Sequence, residues 1–202
     1  MQAPPTRASV IETAEQFASF AWTPTHSNVR HERGSDGLRV DTPDSSMVPS
    51  GFDVGVVNRG IPYCIRGMDT PAQFATKIAA GFAAGNIPLQ GAELAVSGNT
   101  AGVDCSGFVC RCWGLETHYL TVELAQLSRS LTSYDELKPG DILNRTAQKS
   151  EHVLLFHEFA DAEHTRVRYY EAGAWRVKRG EMSVDELDAQ GYVPQRDPRR
   201  TD

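Results

Sequence analysis

One cysteine stands where a helix is predicted to begin. Cys105 follows a loop-like segment, and Phe108, Val109 and Cys112 recur after it at helical spacing. A thiol at a helix N-terminus lies beside unpaired backbone N–H groups, at the positive end of the helix dipole. Both features favour the thiolate and lower the pKa of a cysteine below its ordinary value of about 8.5. The same N–H groups hold a developing oxyanion, so we interpret Cys105 as a catalytic nucleophile.

A histidine at the head of an apolar run is the candidate general base. The run 152–156 begins with His152 and follows a turn and another apolar run at 137–143. Two neighbouring strands are predicted, with His152 at the start of the second. A third run, 167–172, alternates with a period of two. This alternation places Glu171 on one face of the next strand, where it can orient the His152 ring.

Four short segments occur in a specific order along the chain. They are Gly-Ile-Pro-Tyr at 60–63, Asp-Cys-Ser-Gly-Phe-Val at 104–109, Lys-Pro-Gly-Asp-Ile-Leu at 138–143, and His-Val at 152–153. Together they resemble the NlpC-type papain-fold peptidases, which cut peptidoglycan stem peptides. The resemblance covers roughly residues 58–195. It implies an α+β, papain-like fold, in which an antiparallel sheet packs against the helix that carries the nucleophilic cysteine.

The resemblance also implies a substrate-binding set. In NlpC-like endopeptidases, the residues matching Asp104, Ser106 and Tyr63 bind the free amine of an N-terminal L-alanine. A carboxylate and two hydroxyls would pair with an ammonium group. The upstream segment departs from the family pattern at Ile65, where a tryptophan is usual, and at Arg66, where a glycine is usual. We expect Arg66 either to block the cleft or to hold a substrate carboxylate.

Two residues are candidates for orienting His152. Glu171 lies on a predicted strand, whereas His164 lies in 161–165, which is predicted to be a hairpin loop. Some relatives have the orienting residue at the spacing of His164. A carboxylate stabilises an imidazolium by charge, which an imidazole does not. We therefore favour Glu171 and keep His164 as the alternative.

The activity that the resemblance implies is that of a cysteine peptidase. It would cleave the γ-D-glutamyl–diamino acid amide bond of peptidoglycan or its stem-peptide fragments, with Cys105, His152 and Glu171 as the catalytic residues. The same residues would serve an N-acetylmuramoyl-L-alanine amidase or another papain-fold acyl transferase. A non-catalytic wall-binding module is the alternative from another class. We expect no metal and no organic cofactor, because this chemistry needs neither.

Composition narrows the range of partners. The chain has 202 residues and a formal net charge of −6, which argues against a nucleic-acid-binding surface. It has no apolar run near the roughly 20 residues that a membrane span requires. We expect a monomer whose partner is peptidoglycan or a muropeptide. Residues 1–5 show no signal-peptide pattern. We expect an exported periplasmic or extracellular protein with its signal removed, and a cytoplasmic recycling role is the alternative.

We divide the chain after residue 57. Residues 1–57 are predicted to be an N-terminal extension, with a helix at 9–22 and a long, poorly periodic segment at 23–57 that wraps the core. Residues 58–202 are predicted to form the NlpC-like domain.

Within the second part, a helix capped by Thr70 is predicted to run from Pro71 to Gly85–Asn86. A loop or short helix is predicted at 86–100, and another short helix at 121–128. The tail from Asp197 is charged and is expected to fray. Strands are predicted at 141–144, 152–159, 166–172 and 175–178, with a return to the sheet edge at 191–194. We expect mostly free thiols among the four cysteines.

Overall fold

The computed structural model describes residues 4–87, 97–147, 151–173 and 175–200. These residues form a mixed α/β structure. Its α-helices are α1 (Arg7–Ser19), α2 (Pro71–Ala79), α3 (Cys105–Cys112), α4 (Thr121–Leu127) and α5 (Val184–Ala189). None of the helices in the described ranges combines the length and the apolar character that crossing a membrane requires.

The strands are mostly antiparallel. They are β1 (Ala21–Trp22), β2 (His31–Arg33), β3 (Arg39–Asp41), β4 (Asn58–Arg59), β5 (Ala83–Ala84), β6 (Thr100–Ala101), β7 (Arg129–Ser130), β8 (Ile142–Arg145), β9 (His152–Phe159), β10 (Arg166–Gly173), β11 (Arg176–Ser183) and β12 (Val193–Arg196). Six of them form one antiparallel sheet in the order β11-β10-β9-β8-β12-β7. The predicted β9 is confirmed residue for residue, and β12 lies inside the sheet rather than at its edge.

The core lies between this sheet and two helices. Helix α3 packs against β9 and β10, and α1 packs against α3 and β11. Phe17 of α1 and Phe108 of α3 are buried and meet edge to face, with their ring centroids 5.5 Å apart. Val109 and Leu155 belong to the same buried cluster. This packing fixes the first turn of α3, and with it Cys105, against β9.

The N-terminal segment begins with helix α1, which follows Thr6. The side chain of Thr6 caps α1 by accepting a hydrogen bond from the Ser9 N–H. The helix ends at Ser19 rather than at residue 22, because Ala21–Trp22 pair with Asn58–Arg59 as β1 and β4. The segment 23–57 contains the antiparallel pair β2–β3. The division of the chain after residue 57 stays a prediction.

The predicted length of α2 was wrong. The helix has the expected Thr70 cap and begins at Pro71, but it ends at Ala79. Gly81, with φ of +81°, turns the chain in the left-handed region, and Ala83–Ala84 then pair in parallel with β6. The segment 86–100 lies for the most part outside the described residues.

The C-terminal segment does not fray within the described range. Asp197 is buried, and its carboxylate accepts hydrogen bonds from the Arg199 side chain. Arg199 also donates to the backbone carbonyl of Trp113 at 2.7 Å. The expectation of a frayed tail was therefore wrong, because its charges are paired with buried groups of the core.

A buried charge cluster ties the first helix to the sheet. Asp141 is fully buried, and its carboxylate accepts hydrogen bonds from the Arg196 guanidinium, from Arg7 and from the Lys138 N–H. Arg196 also donates to the Glu136 carbonyl. These contacts connect α1, the turn before β8, and β12.

We predict that Asp141→Ala lowers the free energy of unfolding by about 3–5 kcal/mol, because it removes the anion from a buried ion pair. Urea unfolding measures the loss. Glu158→Ala is the control, because Glu158 forms an exposed pair with Arg168 at 2.8 Å and is expected to cost less than about 1 kcal/mol. Equal losses in the two variants would contradict the prediction.

Candidate active site

The first turn of α3 presents the candidate nucleophile. Cys105 is the first residue of the helix, as predicted, and Asp104 is its N-cap. Asp104 has an extended backbone, and its Oδ1 accepts a hydrogen bond from the Gly107 N–H at 2.7 Å. The backbone N–H groups of Cys105 and Ser106 point toward the sulfur. The helix start therefore surrounds the thiol with donors.

Strand β9 brings the candidate base to the same place. His152 is the first residue of β9, and the backbone N–H of Val153, the next residue, acts to lower the pKa of the Cys105 thiol. Since α3 packs against β9, the nucleophile and the base lie on two elements that share a core.

The carboxylate of Glu171 reaches His152 from the neighbouring strand. Tyr170 of β10 pairs with Leu155 of β9, and continuing this antiparallel register places Gly173 opposite His152. Glu171 is then the diagonal neighbour of His152, a geometry that long side chains can bridge. The distance from His152 Nε2 to Glu171 Oε2 is 2.7 Å. The structure thus brings together the two residues that the sequence pairs.

The charge state of Glu171 determines which nitrogen of His152 carries the proton. Burial disfavours the ionised carboxyl, but the hydrogen bond and the charge of His152, together with the charge of Lys178, outweigh burial and lower the pKa of Glu171 below its ordinary value. An ionised carboxylate only accepts hydrogen bonds, so Nε2 of His152 must be the donor. In the neutral ring, Nδ1 is then left as the proton acceptor.

The thiol itself is not activated in the resting site. Burial raises the pKa of the Cys105 thiol to about 12, and the charge of the Asp104 carboxylate adds to this effect. The backbone N–H groups around the sulfur oppose it, in the direction predicted for a helix N-terminus. The expectation of a lowered pKa was therefore wrong, because desolvation outweighs the helix terminus. Cys105 is a protonated thiol at neutral pH, and it needs a base.

His164 lies away from this pair. It stands in the turn that joins the far ends of β9 and β10, with its ring stacked on Phe159 at a centroid distance of 3.8 Å. Its Nδ1 lies 3.2 Å from Asp135 Oδ1 on the exposed surface. Strand β9 extends by roughly 3.4 Å per residue, so its whole length separates His164 from His152. The structure places Glu171, and not His164, beside His152.

Two of the four predicted substrate-binding residues are paired within the protein. Asp104 and Ser106 are buried, and the Ser106 hydroxyl lies 3.2 Å from Asp104 Oδ1. The same oxygen also lies 2.9 Å from His118 Nε2, and Asp104 Oδ2 accepts from the Arg66 N–H at 2.8 Å. Asp104 thus holds the helix start and the upstream loop together, and its contact with a substrate ammonium stays a prediction.

The other two residues differ in exposure: Arg66 is exposed, and Tyr63 is largely buried. Arg66 adopts φ of +54°, in the left-handed region that favours glycine, and its exposed guanidinium has no ion pair within the described residues. The Tyr63 N–H donates to the Trp175 carbonyl at 2.7 Å, and the two rings meet edge to face. Burial and the nearby Cys105 and Asp104 raise the pKa of Tyr63 well above its ordinary range, so its hydroxyl stays protonated beside the nucleophile.

Three residues of the site were missed by the sequence reasoning. Lys178 lies opposite Glu171 on β11, with its Nζ 3.5 Å from Glu171 Oε1. His118 contacts Asp104 from the connection between α3 and α4, where no periodic pattern marks it. Gly173 shares a face with Glu171, so the period of two on β10 could have revealed it.

All four cysteines carry free thiols, as expected. In the part of the chain that the structure describes, His, Cys, Asp and Glu side chains form no group of three that could hold a metal ion.

Comparison with known proteins gives a weak match. No protein-family model matches the chain, and no curated protein does. Among solved structures, the chain is similar to one described as similar to lipoprotein, NLP/P60 family, from Staphylococcus aureus subsp. aureus Mu50. The match has 18% sequence identity and a TM-score of 0.37, and it covers 48% of this chain and 32% of that one. This similarity is too low to assign the chain to a family.

We predict that the alkylation of Cys105 by iodoacetamide accelerates steadily with pH, without a plateau up to about pH 9.5, because only the thiolate reacts and the thiol pKa is raised. Mass spectrometry of the Cys105 peptide follows the rate, and Cys105→Ser supplies the blank. A plateau with a midpoint below about pH 7 would instead reveal a preformed thiolate, and it would contradict the prediction.

Proposed function

We propose that this chain is a papain-like cysteine hydrolase that cleaves γ-D-glutamyl–diamino acid amide bonds in peptidoglycan or its stem-peptide fragments. One observation carries the catalytic part of the proposal: the buried thiol of Cys105 lies beside the strand whose first residue, His152, is hydrogen-bonded to an ionised carboxylate. This arrangement supplies a nucleophile, a base and an orienting group.

In the first half of the reaction, His152 Nδ1 takes the proton of the Cys105 thiol while the sulfur attacks the amide carbonyl carbon. The backbone N–H of Cys105 stabilises the oxyanion of the tetrahedral intermediate. When the C–N bond breaks, His152 returns the proton to the leaving amine, and a thioester on Cys105 remains. The high pKa of the resting thiol makes this a concerted, base-assisted attack rather than the attack of a preformed thiolate.

In the second half, water releases the product. His152 takes a proton from the water as its oxygen attacks the thioester carbon, and the departing sulfur recovers the proton. Glu171 keeps Nε2 protonated throughout and stabilises the imidazolium that forms in each half.

The choice of bond rests on the motif resemblance and on the residues around the thiol. Tyr63 presents a neutral hydroxyl close to Cys105, and Asp104 and Ser106 support the helix start beside it. Arg66 and Lys77 line one open cavity. In that cavity Lys77 is paired with Asp69 at 2.7 Å, so the exposed Arg66 guanidinium is the cation that a substrate carboxylate meets, which suits the acidic residues of a stem peptide. Peptidoglycan or a muropeptide is then the partner, and an exported, monomeric protein suits that substrate.

The same catalytic residues would also serve an N-acetylmuramoyl-L-alanine amidase or an acyl transferase, since these reactions share the acyl-enzyme step. The position of the cleaved bond distinguishes the amidase from the endopeptidase. A wall-binding module without activity would bind sacculi but leave them intact.

We predict that wild-type protein, incubated with peptidoglycan sacculi and separately with soluble stem peptides, releases fragments cut after γ-D-glutamate. Liquid chromatography with mass spectrometry identifies the new termini. Cys105→Ala removes the nucleophile and is expected to abolish these products, whereas Cys110→Ala, which changes another buried thiol of the same helix, retains them. Products cut at the lactyl–L-alanine bond would overturn the endopeptidase assignment, and no product from either substrate would overturn the hydrolase proposal.

We predict that Glu171→Gln lowers kcat/KM by roughly 10²-fold or more, because the neutral amide keeps the size of the side chain but loses the charge that stabilises the imidazolium. His164→Ala is the matched test of the other candidate orienting residue, and it is expected to stay within about twofold of wild type. A larger loss in His164→Ala than in Glu171→Gln would contradict the assignment of Glu171 as the orienting residue.

A further inference from the structure

The space beneath the His152–Glu171 pair is left open by a glycine. Gly173 lies opposite His152 when the β9–β10 register is continued. A Cβ atom built at position 173 would lie 2.4 Å from Glu171 Oε2, 2.9 Å from Glu171 Cδ and 3.2 Å from His152 Nε2. The two atoms that make the 2.7 Å hydrogen bond are thus among the closest neighbours of the missing side chain.

Backbone conformation does not explain this glycine. Gly173 is not among the glycines with positive φ, and it ends a regular strand. Any residue can adopt such a conformation, and a β-branched or aromatic residue would favour it. What position 173 requires is the absence of a side chain.

The atoms that a Cβ would displace can move at little cost to the fold. The nearest is the terminal oxygen of Glu171, at the end of a flexible side chain, and no backbone atom is among the three nearest. Moving the carboxylate breaks its contact with His152 Nε2 and also changes its distance from Lys178 Nζ, now 3.5 Å. A side chain at position 173 is therefore expected to disturb the site rather than the stability of the sheet.

We propose that Gly173 is a positioning residue for the hydrolysis reaction: by leaving its side of β10 empty, it allows Glu171 to fold under His152 and hold the ring. The inference rests on the proposed function for its kinetic readout. It adds to that function a residue that touches neither the substrate nor the reacting atoms but acts through Glu171.

A double-mutant cycle tests the inference. Gly173→Ala is expected to lower kcat by about tenfold or more with KM within about threefold of wild type, and to leave the unfolding transition near that of wild type. In a Glu171→Ala background, the same Gly173→Ala change is expected to have almost no further effect, because the group that the methyl displaces is gone.

Two results would overturn the proposal. One is a wild-type kcat in Gly173→Ala, and the other is an equal loss of kcat in the wild-type and Glu171→Ala backgrounds. If neither sacculi nor stem peptides are cleaved, the same cycle is run on the distribution of the proton between the two His152 ring nitrogens, measured by ¹⁵N NMR at neutral pH, because that distribution depends on the contact with Glu171. The expected non-additivity then still tests the role of Gly173, so its failure remains distinguishable from failure of the proposed function.

Discussion

The hydrogen bond between His152 and Glu171 is the interaction on which the site depends. It requires a buried carboxylate to stay ionised, and the cation Lys178 on the next strand assists by offsetting the cost of burial. It also requires the register of β9 and β10 that makes Glu171 the diagonal neighbour of His152, and the empty position at Gly173. Three adjacent strands thus contribute one residue each, His152, Glu171 and Lys178, to a chain of contacts that fixes the imidazole.

The pKa of the Cys105 thiol is governed by the balance between burial and the helix N-terminus. Cys105 is only 8% exposed, and desolvation raises its pKa although three backbone N–H groups point toward the sulfur. Such a thiol is protected from adventitious oxidation, which proceeds through the thiolate. It becomes a nucleophile only when a base removes its proton. Removing this proton is the role proposed for His152, and it requires that the ring be correctly oriented.

Local patterns in the sequence predicted much of the site. The start of α3 at Cys105 followed from helical periodicity, and the partnership of His152 with Glu171 followed from strand alternation, because both patterns reflect neighbours along the chain. The pKa of Cys105 was predicted in the wrong direction, since burial arises only when α1, α3 and the sheet assemble. His118 was missed for the same reason: it approaches Asp104 from an irregular segment through tertiary packing. The strand alternation places Gly173 on the same face as Glu171, but a residue without a side chain was not considered as a site residue.

The role of the His152–Glu171 hydrogen bond can be tested by measuring the protonation of the two His152 ring nitrogens by ¹⁵N NMR at neutral pH. We expect Nε2 to carry the proton, in a hydrogen bond to Glu171, and Nδ1 to be bare and available to the Cys105 proton. In Glu171→Ala, this preference is expected to weaken into a mixture of both tautomers. A proton on Nδ1 with a bare Nε2 in the wild-type protein would contradict the account, because His152 could then not act as the base for Cys105.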